Sequence, residues 1–126
     1  MIVPLLLIIV VLLAAAKDDN VTYTLVLNET PVAGQPITFT ATYPQSARQK
    51  YGPRQHNNPQ VELVCDGKII NVVPMASEKK NTDGSWTGIS YQMMIPLGAL
   101  TCSAVVYSYD KAGLIAWATT YFEVGG

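Results

Sequence analysis

Residues 37–43 read Ile37-Thr38-Phe39-Thr40-Ala41-Thr42-Tyr43. Apolar or aromatic side chains occupy every odd position and threonine every even one. A period of two sends alternate side chains to opposite faces of an extended chain, so this stretch predicts a β-strand with a core face and a threonine face in water. The β-branched residues favour the same backbone. Turn residues at 31–36, with Pro31, Gly34 and Pro36, lead into it. Before them, residues 21–27 repeat the pattern, with Val21, Tyr23, Leu25 and Leu27 against Thr22, Thr24 and Val26.

Strand signals continue toward the C-terminus. Val61, Leu63 and Cys65 open a third strand, and Asp66-Gly67 is a hairpin turn signal because both residues tolerate positive φ. Residues 68–73 predict a short returning strand closed by Pro74. A polar stretch at 77–85 contains a second Asp-Gly, Asp83-Gly84. Residues 86–95 predict a fifth strand, followed by the Pro96-Leu97-Gly98 turn. A sixth, at 99–109, is expected to point Leu100, Cys102, Ala104 and Val106 inward. Residues 110–113 turn, and residues 114–124 form the last strand. Seven strands with closely spaced turns and no helical period predict an all-β chain, a two-sheet β-sandwich with a small closed barrel as the alternative.

The chain has 126 residues, which suits one domain. Its formal charge is −1 and only 13% of residues are charged, so no global field draws it to nucleic acid. Residues 2–16 form an unbroken apolar run that ends at Lys17-Asp18-Asp19-Asn20. As a helix it would reach roughly 22 Å, short of a bilayer core about 30 Å thick. Ala14-Ala15-Ala16 offers the small residues that precede a signal-peptidase cut, although no basic residue opens the segment. Residues 1–16 therefore read as a signal peptide, or else as a membrane or assembly anchor, with 17–20 as linker and 21–126 as the β domain. An extracytoplasmic location follows, with membrane contact only through residues 1–16 if they are retained. Asn20 and Asn28 each match the N-glycosylation pattern.

Cys65 and Cys102 are the only cysteines and both fall on expected core faces. An even count behind an export signal favours a disulfide, with two buried thiols as the alternative. By strand count the bond would join the third and sixth strands, neighbours in one sheet. Antibody domains instead bridge the second and sixth, stack a Trp on the bond, and place a Tyr where this chain has Leu100.

Three segments resemble the immunoglobulin-like modules of bacterial surface proteins and tailed-phage virions. They are Ala33-Gly34-Gln35-Pro36-Ile37-Thr38-Phe39-Thr40-Ala41, Asp83-Gly84-Ser85-Trp86 and Gly98-Ala99-Leu100-Thr101-Cys102. The resemblance covers residues 20–124. It implies an immunoglobulin-like sandwich that decorates surfaces, spaces other domains, or touches glycans and host proteins. It carries no catalytic residues across.

The longest loop, 44–60, holds Arg48, Lys50, Arg54 and His56 with no acid, and Tyr51 beside them. These five are the candidate binding residues, reading as a contact to an acidic surface with Tyr51 as anchor; a solvated loop is the plain alternative. His56 is the only histidine, and two cysteines with it do not make a zinc site. No catalytic constellation, cofactor motif or metal set can be assembled, so the chain is expected to be no enzyme. Trp86, Trp117, Tyr91, Tyr107, Tyr109 and Tyr121 are expected in the core and at sheet edges rather than as a sugar-binding stripe. Met93-Met94 is expected to fill core. The last strand could pair with a neighbouring subunit or be an ordinary final strand. Two functions compete: a binding or accessory surface module facing a protein or glycan, and a subunit of an ordered assembly such as a virion surface or filament.

Overall fold

Alternation at 37–43 does bury Ile37, Phe39, Ala41 and Tyr43 completely. The structure, a computed structural model, describes residues 22–48, 50–51, 55–56, 58–110 and 113–126, with the backbone alone at 50, 51, 55, 56 and 110. Its strands are β1 (Leu25–Leu27), β2 (Pro36–Ile37), β3 (Phe39–Tyr43), β4 (Lys50–Tyr51), β5 (Gln55–His56), β6 (Gln60–Cys65), β7 (Lys68–Lys80), β8 (Trp86–Ser90), β9 (Met93–Met94), β10 (Thr101–Asp110) and β11 (Gly113–Glu123). A 3-10 turn, Gln45–Arg48, follows β3. Seven strands form one antiparallel sheet in the order β1-β3-β8-β7-β6-β10-β11, while β2-β9 and β4-β5 pair separately.

The expected two layers share β7. Residues 68–74 of β7 pair with β6 and residues 75–80 pair with β8, with a register shift between Met75 and Ser77 where the partner changes. The layers β1-β3-β8-β7 and β7-β6-β10-β11 then face each other in a sandwich-like, all-β fold. Tyr23 meets Trp117 edge-on across the gap at 5.7 Å, and Phe39 meets Phe122 at 6.1 Å. Val61, Leu63, Ala104 and Val106 complete the core from the second layer. Trp117, the bulged residue of β11, is buried and donates its indole N–H to Ser108 at 2.8 Å.

Several boundaries differ from the sequence reading, each for a local reason. The strand at 37–43 breaks at Thr38: Ile37 pairs with Met93, while Phe39 starts a new ladder opposite Leu27. The Phe39 N–H is satisfied by the Ser90 hydroxyl at 3.0 Å, and Thr38 gives its N–H and hydroxyl to Glu29. The fifth strand splits likewise into β8 and β9. Pro74 does not end the fourth strand, which runs on through the segment read as polar to Lys80. At Pro74 the strand leaves β6 for β8, so its missing N–H removes no ladder bond, and its carbonyl accepts from Tyr91 at 3.2 Å. Leu100 is exposed rather than inward, because β10 begins one residue later. Met93 fills core but Met94 is exposed. Of the aromatic residues expected in the core and at sheet edges, Trp117 and Tyr107 are buried, Tyr121 is exposed on the edge strand β11, and Tyr91 and Tyr109 are exposed. The first strand is shorter than expected, and the readings for residues 1–21, Asn20 included, lie outside the described residues. The Asn28 amide nitrogen, the atom that a glycan would take, donates to Thr38 at 3.1 Å.

The cystine forms between Cys65 and Cys102, 37 residues apart in sequence. They are direct cross-strand partners on β6 and β10, so the bond pins two neighbours of one layer, as the strand count anticipated.

The register defines two ends. Tyr43, Trp86 and Lys80 lie side by side at the first, here the head. The second, the tail, gathers the Asp66-Gly67 turn with segments 28–38, 95–101 and 124–125. It is knit by backbone bonds from Asp66 N–H to Thr101, Val124 N–H to Leu100 and Gly34 N–H to Ile95, at 2.9, 2.9 and 2.8 Å. Because Leu25 pairs with Ala41 and Leu27 with Phe39, the described chain enters at the head and runs toward the tail.

Candidate functional site

At the head, Arg48 closes a compact polar cluster. Its Nε lies 2.9 Å from Glu78 Oε2, and its guanidinium sits 3.7 Å from the centre of the Trp86 ring. The Tyr43 hydroxyl donates to the same Glu78 oxygen at 2.5 Å, and Trp86 Nε1 donates to Gln45 Oε1 at 2.7 Å. Burial pushes the Tyr43 phenol far above its ordinary range; the hydrogen bond to Glu78 and that carboxylate's charge add to it, and Arg48 opposes. Arg48, expected to face an acidic partner, thus finds its carboxylate within the chain. The acid lies 30 positions away, in the segment read as polar loop. Of the other loop candidates, Lys50 pairs with His56 and Tyr51 with Gln55 across β4 and β5. Arg54 lies outside the described residues.

The tail is built differently. Its side chains include the four most exposed large hydrophobic residues described: Leu97 at 86%, Leu100 at 71%, Ile69 at 66% and Tyr121 at 59%. Asp66 stands among them. With φ of 49° it turns the hairpin together with Gly67 at 81°, the pattern of a two-residue turn with positive φ at both positions. Its carboxylate accepts the N–H groups of Thr101 and Leu100, each at 3.1 Å. Those bonds, Thr101's first, hold its carboxyl below the usual aspartate range. A groove of about 680 Å³ runs from this turn past Thr101 and Ser103 to Tyr121 and Glu123, with Cys102 in its lining.

The outer faces of the two layers contrast. The face of β1-β3-β8-β7 carries Thr40, Thr42 and Thr87, with Thr24 and Asn28 tied to it through hydroxyl bonds. The face of β7-β6-β10-β11 carries cross-strand rows Tyr121-Ser103-Val64-Ile69 and Thr119-Val105-Glu62-Val72. It is mainly apolar around one carboxylate, Glu62, and leads directly into the tail. Contiguous exposed apolar surface of this kind marks contact sites.

The sequence reading missed the tail. Alternation through 100, 102, 104 and 106 wrongly placed Leu100 inside, and nothing in the pattern singled out Ile69. One signal was present: a leucine at the tip of Pro96-Leu97-Gly98, where a turn usually carries a polar residue. Among the described residues, no group of His, Cys, Asp or Glu is arranged to hold a metal ion, and no helix is long and apolar enough to cross a membrane. No protein-family model matches the chain, and no curated protein matches it either.

Proposed function

We propose that the chain is an immunoglobulin-type sandwich working outside the cytoplasm as a non-enzymatic binding module, with its tail as the contact surface. The observation that carries this reading is the apolar, acid-bearing tail: single exposed leucines are ordinary, but several large apolar side chains gathered at one end mark a contact site. The strand order supports the fold type. The layer β1-β3-β8-β7 follows the A-B-E-D order, and β7-β6-β10-β11 follows C′-C-F-G, with β7 serving as both C′ and D. The cystine supports an oxidising compartment. The described chain enters at the head, so the tail lies at the end away from its first described residues, a geometry suited to presentation from a surface.

The competing reading, a subunit of an ordered assembly, draws on β11. This sheet edge is 11 residues long and carries no charge before Glu123 and no proline. Edges left so bare tend to acquire a neighbour.

Two measurements test the binding module. Intact mass of the protein from its producing cell should drop by about 2 Da without reductant, the two hydrogens of an oxidised pair; a fully reduced mass contradicts the compartment. A photo-crosslinking residue placed at Leu97 or Tyr121 should form adducts in those cells, and one at Thr40 should not. Equal capture from all three positions, or none, contradicts the assignment of the tail.

A further inference from the structure

We infer that β11 pairs antiparallel with β11 of a second copy, so that two sheets run on as one and the chain forms a two-fold dimer. The inference rests on the bare edge of β11 and not on the tail as a contact surface.

Backbone groups point to alternate sides along a strand, and the end of β11 fixes which side each residue takes. The Val124 N–H turns toward β10 and bonds Leu100. Gly125 turns away, giving its N–H to Pro31 at 2.9 Å and accepting that of Ala33 at 3.0 Å. Phe122, Thr120 and Ala118 therefore bond β10, while Glu123, Tyr121 and Thr119 present their N–H and carbonyl groups outward. The cystine agrees. Its Cα atoms are only 4.1 Å apart, which marks Cys65 and Cys102 as a pair without backbone bonds between them. Cys102 then bonds its other partner, Phe122 on β11. Among the described residues, backbone pairing on the outer side of β11 begins only at Gly125, where Val32 runs parallel to it.

The opposite edge of the sheet is blunted. Its strand β1 has three residues, and side chains fasten the chain around it. Thr42 Oγ1 accepts the Thr24 N–H at 2.7 Å, and Asn28 bonds both Thr38 and Thr40. By contrast β11 has 11 residues, and its run 118–122 contains neither charge nor proline. A long uncharged edge is a template for another strand.

The strand that fits this edge is β11 itself. A two-fold axis at Thr120 sets Thr119 opposite Tyr121 of the second copy, and Ala118 opposite Phe122. The exposed Tyr121 ring gains a β-branched neighbour, and the partly buried Phe122 gains a small one. Glu123, the strand's one charge, falls outside the ladder 118–122. It lies six positions along from its own copy, roughly 20 Å at 3.4 Å per residue, which exceeds a screening length of about 8 Å. An axis at Tyr121 would bring the acid inside the ladder, and a parallel pairing would set the two acids side by side. Trp117, the bulged residue, stays outside as well. On the outer face the row Tyr121-Ser103-Val64-Ile69 runs on into Thr119-Val105-Glu62-Val72 of the second copy, joining the two apolar faces. Both copies spend the same edge, so the assembly closes at two.

The test uses the full chain as cells produce it, isolated in a non-ionic detergent, and combines sedimentation with backbone amide exchange. The chain should sediment as a dimer, with the Thr119 and Tyr121 amides exchanging about tenfold or more slowly than in a monomer. Thr119→Lys sets like charges across the axis and supplies that monomer. Its Ala118, Thr120 and Phe122 amides, bonded to β10, should stay slow, which shows that the variant is folded. Thr119→Pro removes only an outward N–H and should give the same monomer. Mixing Thr119→Lys with Thr119→Glu should restore both the dimer and the slow Tyr121 amide. A monomer at every concentration up to about 1 mM overturns the pairing. So does a dimer that survives Thr119→Lys, one whose Tyr121 amide exchanges freely, a larger polymer, or no restoration on mixing. Each of these failures leaves Leu97 and Leu100 as a contact surface untouched.

Discussion

Arg48 shows how one side chain can serve the fold where its loop suggested a partner. It compensates the Glu78 carboxylate and covers Trp86, while Tyr43 holds the same carboxylate from the core side. Truncating Arg48 leaves Glu78 half-buried with one neutral donor. Arg48→Ala should lower stability by about 1–3 kcal/mol in urea unfolding, combining a lost cation–π contact with an under-compensated acid. Arg48→Lys should recover only part, since an ammonium cannot both stack on the ring and donate in the same plane; full recovery would mean that charge alone matters. Tyr43 makes a second prediction at this scale. Its phenol titrates higher in the folded chain than when unfolded, so the folded state holds that proton more tightly. The contribution is fully present below the unfolded tyrosine value of about 10 and is lost as pH climbs past it toward the folded value. Tyr107 shifts the same way, through burial first and then the charges of Tyr109 and Glu62. Urea midpoints should fall between pH 9 and 11, and fall less in Tyr43→Phe. An identical fall in both proteins would remove Tyr43 from the explanation.

Elements place the cystine and explain what the sequence could show. Cys65 and Cys102 close a 37-residue separation that contains β7, β8 and β9. Replacing both by Ala should cost about 2–4 kcal/mol, chiefly by freeing the unfolded chain. Urea unfolding of the double variant checks this, and an unchanged midpoint would mean that the β6–β10 ladder needs no covalent support. The strands of the core were legible because a half-buried strand writes its two faces into alternate residues: Ile37, Phe39, Ala41 and Tyr43 do this, and so do Val61, Leu63 and Cys65. The Asp66-Gly67 turn was legible from its demand for positive φ. The course of β7 past Pro74 was not, because a proline reads as a stop unless the change of ladder partner at that point is known. Glu78 was hidden for the same reason, since it becomes Arg48's neighbour only when β7 continues and pairs with β8. The tail was hidden because its residues come from separate turns and a strand end: Ile69, Leu97, Leu100 and Tyr121 share no local period. Alternation identifies a strand's faces but not which of them meets water, and it fails at strand ends, where Leu100 sits.

At the scale of the molecule, the two ends differ in polarity. The head carries the Arg48–Glu78–Tyr43 cluster and the point where the described chain begins. The tail carries acids set among exposed leucines, and the outer face of β7-β6-β10-β11 extends that surface along one side. The threonine face on the other side is occupied with its own hydroxyl network, Thr24 with Thr42 and Thr40 with Asn28. Association through the tail should accordingly be weakened by salt and by polar replacement of Leu97 and Leu100, and be indifferent to Thr40 and Thr87. The most direct measurement of the central claim is hydroxyl-radical footprinting of the protein in its producing cells, compared with the purified protein. Leu97, Leu100, Ile69 and Tyr121 should be oxidised freely when purified and be protected in the cell, while Ile89 on the threonine face reacts alike in both. Equal reactivity of the four tail residues in the two settings would contradict the tail as a contact surface.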